Sequence, residues 1–379
     1  MIERHDLVKR IQKSLDRSRI TALLGPRQCG KTTLAKKISN EKVSHYFDLE
    51  DPVDEARLEN PQFTLRNLEG LIIIDEVQRK PELFSLLRTL ADRDPLPARF
   101  LILGSASLDL ARHSLESLAG RVEFVEMDGF DLSEIGFEHY EKLWVRGRFP
   151  LSFLAANDED SVVWRENFIR TFLERDLPQM GVSLPAATVR RFWTMLAHYH
   201  GQVWNASAIG VSLGLSHTTV RRYLDILSGA LVLHQLPPWI DNVKKRLVKS
   251  PKVYIRDSGI IHSLLHLPSR QELLGHPKLG ASWEGFVLDQ ALNFFGSRDI
   301  FFWATHAGAE IDLVLPRKGK LWGFEFKFAD APRITKSMRN ALAELNLEKL
   351  WVVYPGETDY QIHDKIEVIG LRTMAKIVF

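Results

Sequence analysis

The chain is poor in cysteine. A single thiol, Cys29, among 379 residues excludes an intramolecular disulfide framework and fits a reducing compartment. Long apolar runs are missing too, and none approaches the roughly 20 residues that cross a bilayer. The first ten residues, MIERHDLVKR, are polar and charged, unlike the apolar core of a secretory leader. No sign of charge dominates overall, because 50 Lys and Arg face 48 Asp and Glu for a net +2. These absences predict a cytoplasmic protein with no membrane partner. What remains, 45% hydrophobic and 26% charged residues, is ordinary globular composition, and the length calls for two to four packed units.

The near-neutral total hides an uneven distribution. Between Ala186 and Arg256 ten Lys or Arg meet only Asp225 and Asp241, a local +8 that leaves −6 for the rest of the chain. Such asymmetry is the electrostatic footprint of a nucleic-acid-binding unit. A solvated surface, or a face turned to an acidic neighbour, would look the same by charge alone.

The strongest local signal is TALLGPRQCGKTTLAKKI. An apolar run, Thr21–Leu24, leads into Gly25, Pro26, Arg27, Gln28, Cys29, Gly30, Lys31 and Thr32, followed by Thr33 and a helical pattern. This is GxxxxGK[ST] in the strand-then-helix setting that phosphate binding requires. Glycines let backbone N–H groups close around phosphates, and the helix start adds a favourable dipole. The spacing places Lys31 toward the β- and γ-phosphates of ATP and the Thr32 hydroxyl on Mg²⁺. A thiol in this loop near a helix start is also expected to have thiolate character, so alkylation of Cys29 should inhibit and ATP should protect.

A partner motif follows in GLIIIDEVQRKPELF. The run Leu71–Ile74 reads as a buried parallel strand, ending in Asp75 and Glu76. Asp75 would complete the Mg²⁺ shell and Glu76 would orient and deprotonate water, which argues for hydrolysis rather than binding alone. A further buried strand, FLILGSAS, ends in Ser105 and Ser107. At this point the chain resembles the AAA+ class of P-loop ATPases. The resemblance makes Ser105 the first sensor, although that class more often has asparagine. Arg121, in LAGRVEF, resembles an arginine finger acting on a neighbouring subunit of a ring, with Arg112 as competitor and a surface ion pair as the bland reading.

After RVEFVEM the pattern turns helical. Asp131 to about 185 reads as a small lid over the nucleotide, with Arg170 or Arg175 as a second sensor. NASAIGVSLGLSHTTVRRYLDILSGALVLHQL then reads as helix, Gly-containing turn, helix and a strand from Leu231 to Leu236. Val220, Leu224 and Leu227 share one face at helical spacing. His217, Thr218, Arg221 and Arg222 fall outward behind a Ser216 cap, as on a helix that meets a DNA groove. Lys244, Lys245, Arg246 and Lys249 lie in the following loop. The arrangement resembles a winged helix-turn-helix with a basic wing suited to phosphates.

The C-terminal part reads helix (ASWEGFVLDQALNFF), strand (DIFFWAT), hairpin (GAEIDLVLPRKGKLWGFEFKF), helix and strand (KLWVVYP). A tight turn on Lys318-Gly319 puts Asp312 directly opposite Glu325, with Lys327 on the same face. Like charges directly opposed on paired strands are unfavourable, so the pair, with a lysine beside it, invites a cation or a strong structural reason. Glu284, at the start of the preceding helix, could add a ligand. These residues resemble the PD-(D/E)XK motif of restriction-endonuclease-like nucleases, although no proline precedes Asp312. The resemblance implies that Asp312 and Glu325 hold Mg²⁺ and that Glu284 is the helical acid. Lys327 would orient water or stabilise the transition state.

Over nearly its whole length the chain resembles a widespread bacterial and archaeal family of ATP-binding proteins that join these three parts. The match is carried by YFDLEDP, LIIIDEVQ, SLAGRVEF, FLERDLPQ, RLVKSPKVYIRDSG, GASWEGFVLDQAL and HAGAEIDLVL. RGRFP departs from the family, which usually has a second glycine there. The expected fold is multidomain α/β: an AAA+ P-loop ATPase core on a parallel sheet (1–130), a helical lid (131–185), a winged helix-turn-helix (186–262) and a PD-(D/E)XK-like domain (263–379). The leading functional expectation is an oligomeric, Mg²⁺-dependent ATPase that binds DNA through the winged helix and basic wing, with a nuclease-type C-terminal domain that would cleave or recognise branched or broken DNA. The alternative is a nucleotide-switched regulator or effector with slow turnover, whose last domain is a binding module or a restrained nuclease.

Overall fold

The computed structural model describes residues 2–40, 43–105, 118–182, 184–240 and 247–379. The chain divides into two compact units: residues 1–130 with 225–232, and residues 131–224 with 233–379. Among the described residues no helix is long and apolar enough to cross a membrane.

The first unit is built on five strands: β1 (Ile20–Gly25), β2 (Ser44–Asp48), β3 (Gly70–Asp75), β4 (Ala98–Ser105) and β5 (Val122–Glu126). All neighbours are parallel, in the order β2-β3-β4-β1-β5. Parallel strands covered on both faces need unbroken apolar runs, and β3 shows why. Ile72 and Ile74 join a core with Phe84 and Leu87, whereas Leu71 and Ile73 join another with Leu34 and Ile38. Each such fully buried side chain contributes about 1.5–3 kcal/mol. Helices His5–Arg17, Lys31–Ser39 and Leu83–Ala91 supply the covering layers.

The second unit contains two sheets. The smaller has the antiparallel order β6-β8-β7, from β6 (Gln202–Val203), β7 (Leu233–Leu236) and β8 (Lys252–Ile255). Leu231 adopts a left-handed backbone, so β7 begins two residues later than the apolar pattern suggests. Helices Ala186–His198, Ala206–Leu213 and His217–Gly229 precede β7.

The larger sheet has six strands: β9 (Phe301–Ala304), β10 (Glu310–Arg317), β11 (Lys320–Phe326), β12 (Lys349–Tyr354), β13 (Tyr360–His363) and β14 (Ile366–Gly370), ordered β13-β14-β12-β11-β10-β9. β9, β10 and β11 form an antiparallel meander, and β11, β12 and β14 run parallel. The order helix, three strands, helix, strand is the one read from the sequence. The hairpin β13–β14 was not, its strands being only four and five residues long. Lys318 and Gly319 both take positive φ, which matches the twist of a two-residue hairpin. The turn pairs Arg317 with Lys320 and Leu313 with Phe324, the register expected from the sequence.

Two features fix β8 beside this sheet. Phe302 donates its N–H to Pro237, Trp239 donates to Phe302, and Val248 donates to Ala304 at 3.1 Å, so the segments flanking residues 241–246 run along β9. The helices between 131 and 180, expected as a lid, pack on helices Ser258–Leu264 and Leu279–Phe295. Trp144 donates to Ser282 at 2.9 Å, and the buried Arg165 donates to the carbonyls of Val145 and Gly259 at 3.0 and 2.9 Å.

Candidate functional site

In the first unit β1 ends at Gly25 and the next helix begins at Lys31, so residues 25–30 form a tight loop. Gly25 has no room for a side chain, since a Cβ would lie 2.2 Å from the Met127 carbonyl. Gly30 turns the chain into the helix with φ near 101°. Lys31 is buried and donates to the carbonyls of Gly25 and Pro26, both at 2.9 Å. Thr32 donates to Asp75 Oδ2 at 2.6 Å, and the Tyr46 hydroxyl donates to the same oxygen at 2.7 Å. Burial and the neighbouring Asp75 hold the Tyr46 phenol protonated. Glu76 leaves the strand in a left-handed conformation, and Gln78 donates to its carboxylate. Burial raises the Glu76 carboxyl above its ordinary value. A magnesium–nucleotide pair fits this donor set, with backbone N–H groups at a helix start and a hydroxyl–carboxylate pair beside them.

Cys29 behaves differently from expectation. The thiol is fully buried, lies 3.6 Å from the Met127 carbonyl, and is pushed up in pKa by its burial. Desolvation outweighs the pull of Lys31, so the expected thiolate character is corrected to an inert packing thiol. Arg27 pairs with Glu50 at 3.1 Å, and Gln28 and Thr33 are exposed. Arg121 is held by both oxygens of Asp92, at 2.6 and 2.8 Å, the ion-pair arrangement weighed against a finger. Ser105 stands opposite Gly25 in the sheet register, but its side chain, Ser107 and Arg112 lie outside the described residues. Arg170 sits on a helix surface near Asn167.

The second unit gathers a group of carboxylates. Asp312 on β10 is buried, and its Oδ2 accepts the Phe326 N–H at 2.9 Å. Continuing the β10–β11 register by one step sets it against Glu325, also buried. Lys327 lies 2.6 Å from Glu325 Oε1, while Glu325 Oε2 is buried without a hydrogen-bond partner. Glu284 faces the same place from the helix Leu279–Phe295, which starts two residues earlier than expected, so this acid is inside the helix rather than at its head. Glu310, one strand step from Asp312, brings a fourth carboxylate. Ligand oxygens of Glu284, Glu310 and Asp312 lie within 4.8 Å of one another.

A cation already stands among them. Lys252, at the start of β8 and only 1% exposed, reaches Glu284 Oε1 at 2.8 Å, Asp312 Oδ1 at 3.3 Å, and Glu310. Tyr254, two residues along, donates to Glu284 Oε1 at 2.6 Å. Burial opposes the ammonium charge, yet Glu284, Asp312 and Glu310 hold it protonated, well above the usual lysine value. The carboxyls are shifted upward as well, in their case toward the neutral form. Burial and the proximity of Asp312 push Glu284 up to about 7 and Glu325 up to about 8.

The basic segment is now divided. His217, Thr218, Arg221, Arg222 and Lys249 are exposed, and the Ser216 hydroxyl caps the Thr219 N–H at 3.1 Å. Lys244, Lys245 and Arg246 lie outside the described residues. Lys252, counted with the others in the local +8, faces inward.

Comparison with known proteins places the chain. Uncharacterized protein Rv2008c of Mycobacterium tuberculosis and uncharacterized protein Mb2031c of Mycobacterium bovis are each 49% identical over 369 residues, covering 97% of this chain and 84% of theirs. The chain belongs to their family. Residues 17–136 match the family described as AAA domain, so this part of the chain is an AAA-type P-loop ATPase domain. Residues 137–271 and 279–374 match two domains of unknown function, DUF8612 and DUF4143. Among solved structures, the Walker-type ATPase of Pyrococcus abyssi is similar at a TM-score of 0.49 and 15% identity, over 70% of this chain and 96% of that one.

Tyr46, Glu310 and Lys252 are among the residues of these two sites that escaped sequence reasoning. Tyr46 lies in YFDLEDP, a stretch that carries the family resemblance, but nothing local ties it to Asp75. Glu310 adjoins the expected Asp312 and was legible as a same-face neighbour two residues away. Lys252 carried no signal, because its partners are 32 to 60 residues distant in the chain.

Proposed function

We propose that this family member hydrolyses ATP with Mg²⁺ at the Gly25–Thr33 loop and uses the cycle to act on DNA. The observation that carries the reading is the 2.6 Å hydrogen bond between Thr32 and Asp75, which brings the two metal-binding motifs to one point. Mg²⁺, when bound, neutralises phosphate charge. Thr32 and Asp75 would hold it, and Tyr46 keeps the Asp75 carboxylate oriented. Lys31, now on the loop carbonyls, is placed to exchange them for phosphate oxygens. Glu76, turned away from the strand, would position and deprotonate the attacking water.

DNA binding is supported by the exposed His217, Thr218, Arg221 and Arg222 on one helix, behind the left-handed Gly214 turn. Three helices with a three-stranded sheet suit a winged helix-turn-helix, and Lys249, Lys244, Lys245 and Arg246 would supply phosphate contacts. The helix, meander, helix and strand order around Asp312 and Glu325 supports a PD-(D/E)XK-like fold.

For this last domain one observation favours the second reading, a restrained nuclease or binding module. The donors proposed for Mg²⁺ do not fit the metal as they stand, because Lys252 already pairs with Asp312 and Lys327 with Glu325.

The test is an ATPase and nuclease assay on single-stranded, duplex and four-way-junction DNA, comparing the intact chain with Lys31→Ala and Asp312→Ala. Turnover that rises with DNA and vanishes in Lys31→Ala is the expected result. ATP hydrolysis unaffected by every DNA would reject the DNA-acting reading.

A further inference from the structure

The C-terminal carboxylates raise a question of charge balance that the ATPase reading does not answer. Glu284, Glu310, Asp312 and Glu325 come from one helix and two strands, and among the described residues the cations that form ion pairs with them are Lys252 and Lys327. Lys327 is committed to Glu325 on the open side, where its side chain is 41% exposed. Lys252 comes from the opposite side, from a different sheet, and is sealed in. Its ammonium touches three carboxylates at once, the position that a small cation would take.

A lysine rarely enters such a place without being fixed there. Both ends of the segment that leads to β8 are tied to β9: Phe302 donates to Pro237 at 3.0 Å, and Val248 donates to Ala304 at 3.1 Å. Lys252 pairs with both neighbours in its own sheet, Val203 and Leu236. Tyr254, on the same strand face, adds a second donor to Glu284. One oxygen is left over. Glu325 Oε2 is buried and lacks a partner, although Glu325 as a residue is 4% exposed. A buried polar oxygen without a hydrogen-bond partner is costly. It marks a donor set with one more ligand than the lysine can satisfy.

We propose that Lys252 is a built-in counter-cation: it holds the place of a divalent metal among Glu284, Glu310 and Asp312, so that docking of β8 and binding of Mg²⁺ or Mn²⁺ exclude one another. An ammonium and a divalent ion cannot share three carboxylate oxygens lying within 4.8 Å of one another, since their repulsion at such range is unscreened. With Lys252 in place the cluster is satisfied without metal. With Lys252 withdrawn, four carboxylates face one ammonium, and Glu325 Oε2 becomes an additional oxygen ligand for a hard cation. The strand that carries Lys252 belongs to the sheet of the proposed DNA-binding part. Displacement of that strand would therefore open the metal site, which makes metal binding conditional on the state of its neighbour.

Titration of the nucleotide-free full chain with Mn²⁺ by calorimetry tests this. The intact protein should show no Mn²⁺ site that Asp312→Asn abolishes. Lys252→Met should gain one, with a thermal midpoint raised several degrees by Mn²⁺, and both effects should vanish in Lys252→Met/Asp312→Asn. An Asp312-dependent Mn²⁺ site of equal affinity in the intact protein would overturn the proposal, as would a folded Lys252→Met that gains none. If Lys252→Met folds only with Mn²⁺ present, the proposal stands. If it folds under neither condition, Lys252→Met/Glu284→Gln/Asp312→Asn decides: recovery of the fold supports charge compensation, and failure to recover rejects it.

Discussion

Lys252 Nζ lies 2.8 Å from Glu284 Oε1, joining the central strand of one sheet to a helix that covers another. A lysine buried to this degree gives up its hydration, and only several nearby carboxylates offset that loss. The contact does so with three, and it changes how the two halves of the second unit are understood. They share a charged centre, so neither the basic segment nor the carboxylate hairpin is electrically complete by itself. The basic segment has one fewer base for nucleic acid than its composition implies, and the hairpin has one more cation than its motif implies.

That centre makes stability depend on pH in a definite direction. Glu284 and Glu325 titrate near 7 and 8 in the folded chain, above the unfolded value of about 4.3 for glutamate. The folded state therefore holds more protons than the unfolded state across that interval, and these groups favour folding most below it. Their contribution is lost as pH rises through 7 and 8. Urea midpoints at pH 6 and pH 8.5 should show the intact protein losing on the order of a few kcal/mol more than Glu325→Gln. Equal losses in the two proteins would show that Glu325 is ionised throughout.

At the nucleotide site the decisive variant is Glu76→Gln. The substitution keeps the side-chain shape and its contact with Gln78 while removing the base. Turnover should fall by about 100-fold or more, in the range for loss of a general base. Binding of a fluorescent ATP analogue should change by less than about threefold. Lys31→Ala should instead lose binding. A Glu76→Gln protein with near-normal turnover would move the base elsewhere.

Much of this was legible in the sequence, and the reasons differ by residue. The run Leu71–Ile74 ending in Asp75 and Glu76 declared a buried parallel strand because both its faces need apolar cover. The turn Lys318-Gly319 set the hairpin register because two consecutive positive-φ positions favour a two-residue connection. The site beyond Asp312 and Glu325 was hidden for a physical reason. A lysine's charge is visible in sequence, but its burial is decided by elements far along the chain, and Lys252 reads as one base among ten. Cys29 shows the same limit from the other side. Its place in a helix-start loop suggests activation, whereas packing against Met127 decides its chemistry.

The DNA reading rests on exposed side chains that sequence could place and structure could check for exposure. Arg221→Ala and Arg222→Ala should each weaken duplex binding about three- to tenfold, independent of sequence. Each should also reduce the slope of log affinity against log salt by about 1. Fluorescence anisotropy across a salt series measures both. Unchanged slopes in both variants would assign this helix face to another partner.

Cys29 gives the last prediction. Its sulfur is fully buried and held protonated by that burial, so neither access nor thiolate population favours reaction. A maleimide reagent should label the native chain very slowly, with a rate that rises with urea and follows unfolding. Saturating ATP should change the native rate only as far as it stabilises the fold. Rapid labelling of the native protein, blocked by ATP and accompanied by loss of ATPase, would instead show that the loop opens around Cys29 and restores the reactive thiol that its position suggests.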